Sequence, residues 1–389
     1  MSKKSRKLGI LHISSHFYPR VDGTVRSIDI LIRGLQQRGH AVSLITRQMS
    51  NTSRVENHFG VTIFRVPSFG RSLFNRFLLG MNQTFFGFLL MRRKRIDIID
   101  THGFSSMIAG FLLKKIFHVP LVLTFHGFPR LWMKSFGWRK WHEQFLSYPM
   151  EKFLIKRADK IIVRSSIFAK MAIAMYGSGI SESIEVVPHA VNTRLFTYKQ
   201  PKITNGAIVL SVGALSKVYG FDLLIKAIPI VLRKLPETKF IIVGEGPLRH
   251  QLENLAKELS VEKSVTFTGL IKDQKNLVEY YHLANVVVFP LKYKGYILSI
   301  AAVEALATGR PIITTMHLDP ALKDVGVFLV KESNADELAK TIISVLSDKN
   351  QERISISARK YAEKFHSMDR YLPHIEKMYL QLIKASFKN

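Results

Sequence analysis

The residues best placed to do chemistry cluster between Lys239 and Thr315, in KFIIVGEGPLRHQLENLAKEL, VTFTGL, ANVVVFP and IAAVEALATGRPIITT. FIIVG and VVVFP are short unbroken apolar runs, the pattern of parallel strands covered on both faces. Between and after them stand a lone glutamate, Glu304, in a helical pattern that stops at Gly309, and the glycines Gly244 and Gly246. Glycine at such places lets the backbone turn tightly or approach a ligand, and a diphosphate is a ligand of the right kind. A second candidate is His126 in LTFHGFP, directly after another apolar run. A lone histidine is more often structural, but the carboxyl end of a strand is where open α/β folds bind ligands.

The elements that must position these residues repeat. LGILHISS, VSLITR, TIFRVP, IDIIDTH, LVLTFHG, KIIVRSS and IEVVPHA read as one series of strands, interrupted by helical patterns such as Ser27 to Arg38. In that helix Ile28, Leu31, Ile32 and Leu35 share a face and Gly39 supplies a left-handed stop. From Ala207 the series restarts with AIVLSVG, KFIIVG, SVTFTG, NVVVFP, RPIITT and GVFLV. Two such series predict an α/β protein of two doubly wound domains facing each other across a cleft. The polar stretch Asn192 to Asn205, with Pro201, reads as a hinge between them.

Length agrees, since 389 residues exceed what one core usually organises. A hydrophobic content of 47% with 22% charged residues is that of a globular protein rather than a disordered or fibrous one. The chain has no cysteine, which excludes disulfides and thiolate metal sites. MSKKSRKLGILHISS is basic, yet its short apolar run continues into a strand, so no secretory leader is expected. The longest apolar segment, Phe77 to Met91, includes Asn82, Gln83 and Thr84 and falls short of the roughly 20 residues of a spanning helix.

The net charge is +28, and residues 1 to 200 hold 31 Lys and Arg against 10 Asp and Glu. A field of that sign attracts polyanions, whether nucleic acid, an anionic membrane surface or phosphate-bearing substrates. Its neighbours choose among these. All three tryptophans, Trp132, Trp138 and Trp141, lie in RLWMKSFGWRKWHEQF with Arg139 and Lys140. Phe74, Phe77, Phe85, Phe86 and Phe88 precede the run Arg92, Arg93, Lys94, Arg95. Aromatic residues beside cations suit the headgroup layer of an anionic bilayer. The plainer alternative makes the aromatics core and the charges a solvated face. No nucleic-acid-binding motif is present, and none is expected to operate.

In order and spacing the chain resembles family 4 glycosyltransferases of the GT-B fold, the glycosyl transferase group 1 type. The resemblance begins at HFYPRVDGTVRSIDILIRGLQQRGHAVSLIT, which is similar to the family's opening glycine loop, helix and second strand, with Gly23 at the loop. LTFHGFP places His126 on the family histidine that reaches the donor sugar, and His102 in DIIDTHG is taken to support it. Glu304 matches the glutamate that family members place on the nucleotide ribose, where two carboxylate oxygens accept from both hydroxyls. Gly213 and Gly246 match loops against the nucleotide, and Leu270 a position whose backbone meets the base. There are departures. Ala214 and Tyr219 in VGALSKVYG stand where the family has an arginine and a lysine, and Tyr296 or Lys294 where it has its first glutamate. The lost cations stabilise a departing diphosphate, and Lys217 in the same loop is the candidate to replace them.

The resemblance implies Rossmann-like domains over 1–195, for the acceptor, and 206–367, for the nucleotide sugar, with a terminal helix over 368–389 crossing back to the first. It implies a retaining glycosyltransferase, a hexosyltransferase of glycolipid or polysaccharide biosynthesis, working without metal or cofactor on a nucleotide-diphosphate sugar. The expected acceptor is a saccharide or a lipid-linked molecule at an anionic membrane, with a cytoplasmic, peripherally membrane-associated protein. Catalytic roles fall to His126 and Lys217, donor binding to Gly23, Gly213, Gly246, Leu270 and Glu304. Trp132, Trp138, Arg139, Lys140, Trp141, Arg92 and Arg93 are assigned to membrane or acceptor. The alternative is a catalytically weakened relative that binds a nucleotide sugar or glycolipid and partners an active enzyme.

Overall fold

A computed structural model describes residues 6–68, 70, 72–127, 141–201, 206–292, 298–315, 318, 320–330 and 334–387. The chain divides into two compact units, the first made of Met1–Pro188 with Asp369–Asn389 and the second of His189–Met368.

Unit 1 runs β1 (Gly9–Ser14), α1 (Gly23–Gln37), β2 (Ala41–Arg47), β3 (Val55–His58), β4 (Val61–Val66), α2 (Leu73–Arg93), β5 (Ile98–His102), α3 (Phe104–Phe117), β6 (Leu121–Thr124), α4 (Trp141–Ile155), β7 (Lys160–Val163), α5 (Ser166–Tyr176) and β8 (Ile184–Val186). Unit 2 runs β9 (Ile208–Val212), α6 (Phe221–Lys234), β10 (Lys239–Val243), α7 (Arg249–Glu258), β11 (Val265–Gly269), α8 (Gln274–Leu283), β12 (Val286–Phe289), α9 (Ile300–Ala307), β13 (Ile312–Thr314), β14 (Val327–Leu329), α10 (Ala335–Leu346) and α11 (Gln351–His366). The last helix, α12 (Met368–Ser386), belongs to unit 1.

The first sheet has the order β3-β4-β2-β1-β5-β6-β7-β8 and is parallel except for the β3–β4 pair. Every apolar run expected as a strand is one. The strand the sequence pattern hides is β3, VENH, whose side chains are exposed or half-exposed and which forms by folding back on β4 at the sheet edge. One face of the sheet is covered by α1 and α12, which approach closely enough that a Cβ on Gly34 would meet Leu372 at 2.4 Å. The other is covered by α3, with Gly110 against Thr101 and Leu121, and by α2 lying on α3. Asp22 starts α1 by accepting from the Val25 N–H at 3.0 Å, satisfying one of the orphan donors of the first turn.

The second sheet, β11-β10-β9-β12-β13-β14, is parallel throughout. Alternate residues of its strands enter two cores. Val209, Ile242, Val286, Val288 and Ile313 pack with α6 and α10, while Leu210, Val287, Phe289 and Ile312 pack with α8, α9 and α11. Covering both faces in this way is what makes the strands read as unbroken apolar runs.

Candidate active site

In unit 2 three of the expected donor-binding residues, Gly213, Gly246 and Leu270, follow the carboxyl ends of the neighbouring strands β9, β10 and β11, and Glu304 lies on helix α9. Gly213 follows β9, and Gly246 lies beyond β10. The two loops are sewn together by Gly213 N–H to Val243 O (3.0 Å), Leu215 N–H to Glu245 O (3.0 Å) and Leu248 N–H to Leu215 O (3.0 Å). Between them Gly244 has φ +151°, and a Cβ there would lie 1.8 Å from the Gly213 carbonyl oxygen, so no other residue fits. Gly246 is under the same constraint, its Cβ position being 2.5 Å from Leu215 O. Both glycines are thus explained by loop against loop.

Leu270 follows β11 and is 45% exposed. It lines an open recess of about 570 Å³ with Ile271, Lys272, Asp273, Asn276 and Tyr280. Helix α8, which supplies the last two, also carries Tyr281, buried, whose hydroxyl donates to Glu304 Oε2 at 3.0 Å and also lies 3.1 Å from Ala301 O. Glu304 is 2% exposed on α9, a helix whose first turn is capped by Ser299 accepting from the Ala302 N–H. Tyr281 was not foreseen as a partner, although YY at the end of a helix before VVVFP was the available signal.

The loop after β9 holds the departures from the family pattern. Ala214 and Lys217 are exposed. The Tyr219 ring lies over Gly213, 2.7 Å from where a Cβ would be, and stacks on Phe221 with ring centroids 6.4 Å apart. Tyr219 therefore fills by packing the place assigned to a cation. A second lysine, Lys292, joins this loop through its N–H to Val218 O (2.9 Å) and its Nζ to Asp222 Oδ2 (2.5 Å). Lys294 and Tyr296 lie outside the described residues.

In unit 1 Gly23 opens α1, and a Cβ there would meet nothing within 4 Å, so its surroundings are open. Beside it burial alone would raise Asp22, but a hydrogen bond with His16, the Val25 N–H and the nearby Arg20 hold its carboxyl below the ordinary range. His126, half-buried, follows β6 and bonds through Nε2 to His102 Nδ1 at 3.1 Å. His102 in turn bonds through Nε2 to His12 Nδ1 at 3.2 Å. Beneath both rings Asp100 accepts from Thr124 Oγ1 (2.8 Å) and from Tyr379 of α12 (2.6 Å). Burial drives His12 down to about 3, His102 well below its ordinary value and Asp100 up to about 7. Among the described residues His12, Asp100 and His102 are the one group whose ligand atoms lie within 4.8 Å of one another. Each Asp100 oxygen already accepts a hydroxyl and the imidazoles bond each other, so internal hydrogen bonds account for the group.

Helix α2 is built inside out. Its buried face is Leu79, Gly80, Gln83, Thr84, Gly87 and Leu90, pressed so closely on α3 that a Cβ on Gly87 would meet Leu113 at 2.5 Å. The opposite face exposes Phe74 (68%), Phe77, Met81, Phe85 (58%) and Leu89, an apolar stripe about 22 Å long at 1.5 Å per residue. Arg92 and Arg93 close the helix, exposed. Trp132, Trp138, Arg139 and Lys140 lie outside the described residues, as does the side chain of Trp141 at the start of α4. Among the described residues no helix is long and apolar enough to cross a membrane.

Comparison with known proteins places these features. The profile described as Glycosyltransferase Family 4 matches residues 21–195, and that described as Glycosyl transferases group 1 matches residues 194–362. The chain is 26% identical to the uncharacterized glycosyltransferase YqgM of Bacillus subtilis over 87% of this chain and 92% of that one. Its fold is similar to that of sucrose-phosphate synthase from Thermosynechococcus elongatus, with a TM-score of 0.80 and 23% identity over 97% of this chain and all of the other. It is also similar to Anabaena HepE in complex with UDP-glucose, with a TM-score of 0.74 and 16% identity over 96% of this chain and all of the other.

Proposed function

Because the chain belongs to the family 4 glycosyltransferases and is an enzyme of the GT-B type, we propose that it transfers a hexose with retention from a nucleotide-diphosphate sugar to a lipid-linked acceptor at the cytoplasmic face of a membrane. The observation that carries the donor half is Glu304, a buried carboxylate on the helix that follows β12, held by the Tyr281 hydroxyl. A carboxylate there accepts from the two hydroxyls of a ribose, and the recess beside Leu270 has the size and mixed lining for a base. Lys217, exposed on the loop after β9, is assigned the charge that grows on the departing diphosphate, and His126 a contact with the donor sugar. HepE was solved with UDP-glucose, so a UDP sugar is the donor to try first.

The acceptor half rests on α2. A face of phenylalanine, methionine and leucine turned outward, with small and polar residues turned inward and arginines at one end, matches a helix lying in the headgroup layer of an anionic bilayer. The chain's +28 charge adds attraction to such a surface.

The test is a mass-spectrometric screen of UDP and GDP sugars with membrane lipid extract and with soluble saccharides as acceptors, run beside sedimentation with anionic and neutral vesicles. Transfer to a lipid product, with salt-sensitive binding to anionic vesicles that Phe77→Asp and Phe85→Asp abolish, is the expected result. Transfer confined to soluble saccharides, with no vesicle binding, overturns the acceptor half. Absence of any donor turnover overturns the whole.

A further inference from the structure

Among the described residues Arg310 is the largest side chain that is wholly buried, and no carboxylate of those residues pairs with it. Backbone alone meets its charge. Nε donates to Tyr281 O at 2.9 Å, Nη2 to His282 O at 3.0 Å and Nη1 to Lys199 O at 2.7 Å. Burial brings the guanidinium down to about 10, which leaves it charged at neutral pH. Tyr281 and His282 lie in the last turn of α8, so two of the three carbonyls belong to the negative end of that helix.

These bonds close a circuit that includes the carboxylate of the donor site. The Tyr281 hydroxyl donates to Glu304 Oε2 at 3.0 Å, the Tyr281 carbonyl accepts from Arg310 Nε, and the Arg310 N–H returns to Ala305 O at 2.8 Å, one residue from Glu304 on α9. Tyr281 is therefore gripped at both ends, by the helix that bears the carboxylate and by the turn after it. Arg310 sets where the Tyr281 backbone stands, and the rigid ring carries that placement to the hydroxyl. The third contact is a firm abutment, since Arg359 donates to Thr193 O at 3.0 Å and Phe196 O at 2.6 Å and His282 Nε2–H to Thr197 O at 2.8 Å. The stretch that the sequence marks as a hinge is thus bound to unit 2 from Thr193 to Lys199.

We infer that Arg310 is a positioning residue of the donor site, holding the Glu304 carboxylate in place through Tyr281, an inference that rests on the ribose-binding role proposed for Glu304. The planar fork of an arginine offers donors in several fixed directions. A lysine keeps the charge but cannot serve all three carbonyls at once, and an apolar side chain leaves each of them unpaired.

The experiment compares Arg310→Lys with wild type in two ways. A crystal structure of the variant without nucleotide reads the aim: the Tyr281 hydroxyl should leave hydrogen-bonding reach of Glu304 Oε2, moving beyond about 3.5 Å. Calorimetry with UDP, run as a cycle with Glu304→Gln, reads the consequence. Arg310→Lys should weaken UDP binding about fivefold, the worth of one hydrogen bond, and in the Glu304→Gln background by less than about twofold. General damage to packing would instead cost the same in both backgrounds. Arg310→Gln, shorter and uncharged yet still a donor, serves with the same expectations where the lysine variant does not fold. An unchanged Tyr281–Glu304 bond, no loss of UDP affinity, or a loss equal in both backgrounds overturns the inference. Should Glu304→Gln by itself leave UDP affinity untouched, the ribose role of Glu304 falls, and the crystallographic distance then decides whether Arg310 aims Tyr281.

Discussion

In unit 1 the two central strands, β1 and β5, carry His12, Asp100 and His102 inside the covered sheet, whereas in unit 2 the corresponding strands β9 and β12 read IVLSV and VVVF. There the carboxylate, Glu304, sits on a helix, and the lysines sit on loops. The difference is one of desolvation. A titratable group within a covered strand loses water on every side and is forced neutral, as Asp100 and His12 are. A lysine on a loop keeps its charge at little cost. The strands of unit 1 thus keep buried groups neutral, whereas Lys217 and Lys292 of unit 2 stand exposed to water.

The sharpest way to break this contrast is Lys217→Ala. If loop charge stabilises the leaving diphosphate, kcat should fall by about a hundredfold, the usual cost of removing one donor at a site of developing charge, with a smaller change in donor affinity. Lys292→Ala should do far less, because Lys292 is already committed to Asp222. Steady-state kinetics on both variants decides it, and equal losses would mean the loop's charge acts as a whole. Next in size is Glu304→Gln. Removing charge-assisted hydrogen bonds should weaken UDP binding by about 1.5 to 3 kcal/mol with the fold intact, and calorimetry showing unchanged affinity would remove Glu304 from the site.

For unit 1 the contrast makes a prediction about pH. Asp100 is raised from 3.8 to about 7, so between pH 4 and 7 the folded chain holds a proton the unfolded chain has lost. Its contribution to stability is complete below pH 4 and is lost as pH rises toward 7. His12, lowered from 6.5 to about 3, acts in the opposite sense, adding stability as pH rises from 3 to 6.5. Asp100→Asn deletes the falling term alone. Relative to wild type, the variant should gain roughly 2 kcal/mol between pH 5 and 7, at about 1.4 kcal/mol per unit. Hydrogen exchange at the β5 amides would show it, and a pH-independent difference would place the Asp100 proton elsewhere.

What could be read from the sequence follows the same division. Apolar strands covered on both faces leave an unbroken pattern, so β9, β10 and β12 and most of the first sheet were plain, and VENH, without such a pattern, was not. Glu304 stood out as a lone acid in a helical pattern ending at glycine, and Lys217 only through the resemblance, as the cation left in the loop where the family pair is missing. His12 did not, since one histidine in GILHIS reads as a strand residue, although a histidine opposite IIDTH in adjacent parallel strands was the signal present. In α2 composition showed the phenylalanines and arginines but not which side faced out. The ordinary rule would bury Phe74, Phe77 and Phe85. Gly80 and Gly87 invert it, because they let α2 settle on α3 at a distance that phenylalanine would forbid.

The smallest effect tests how far unit 2 depends on positioning of its own. Tyr281 is wholly buried and reaches Glu304 Oε2 at 3.0 Å, so Tyr281→Phe removes one donor from the carboxylate while keeping the ring. If the hydroxyl serves to aim Glu304, UDP affinity should fall by about 1 kcal/mol, the net value of one hydrogen bond. In the Glu304→Gln background the same change should cost less, because an amide also accepts weakly and has less to aim. A double-mutant cycle by calorimetry reads the coupling directly. Strict additivity would mean that Tyr281 holds α8 to α9 through Ala301 O and leaves the carboxylate to orient itself.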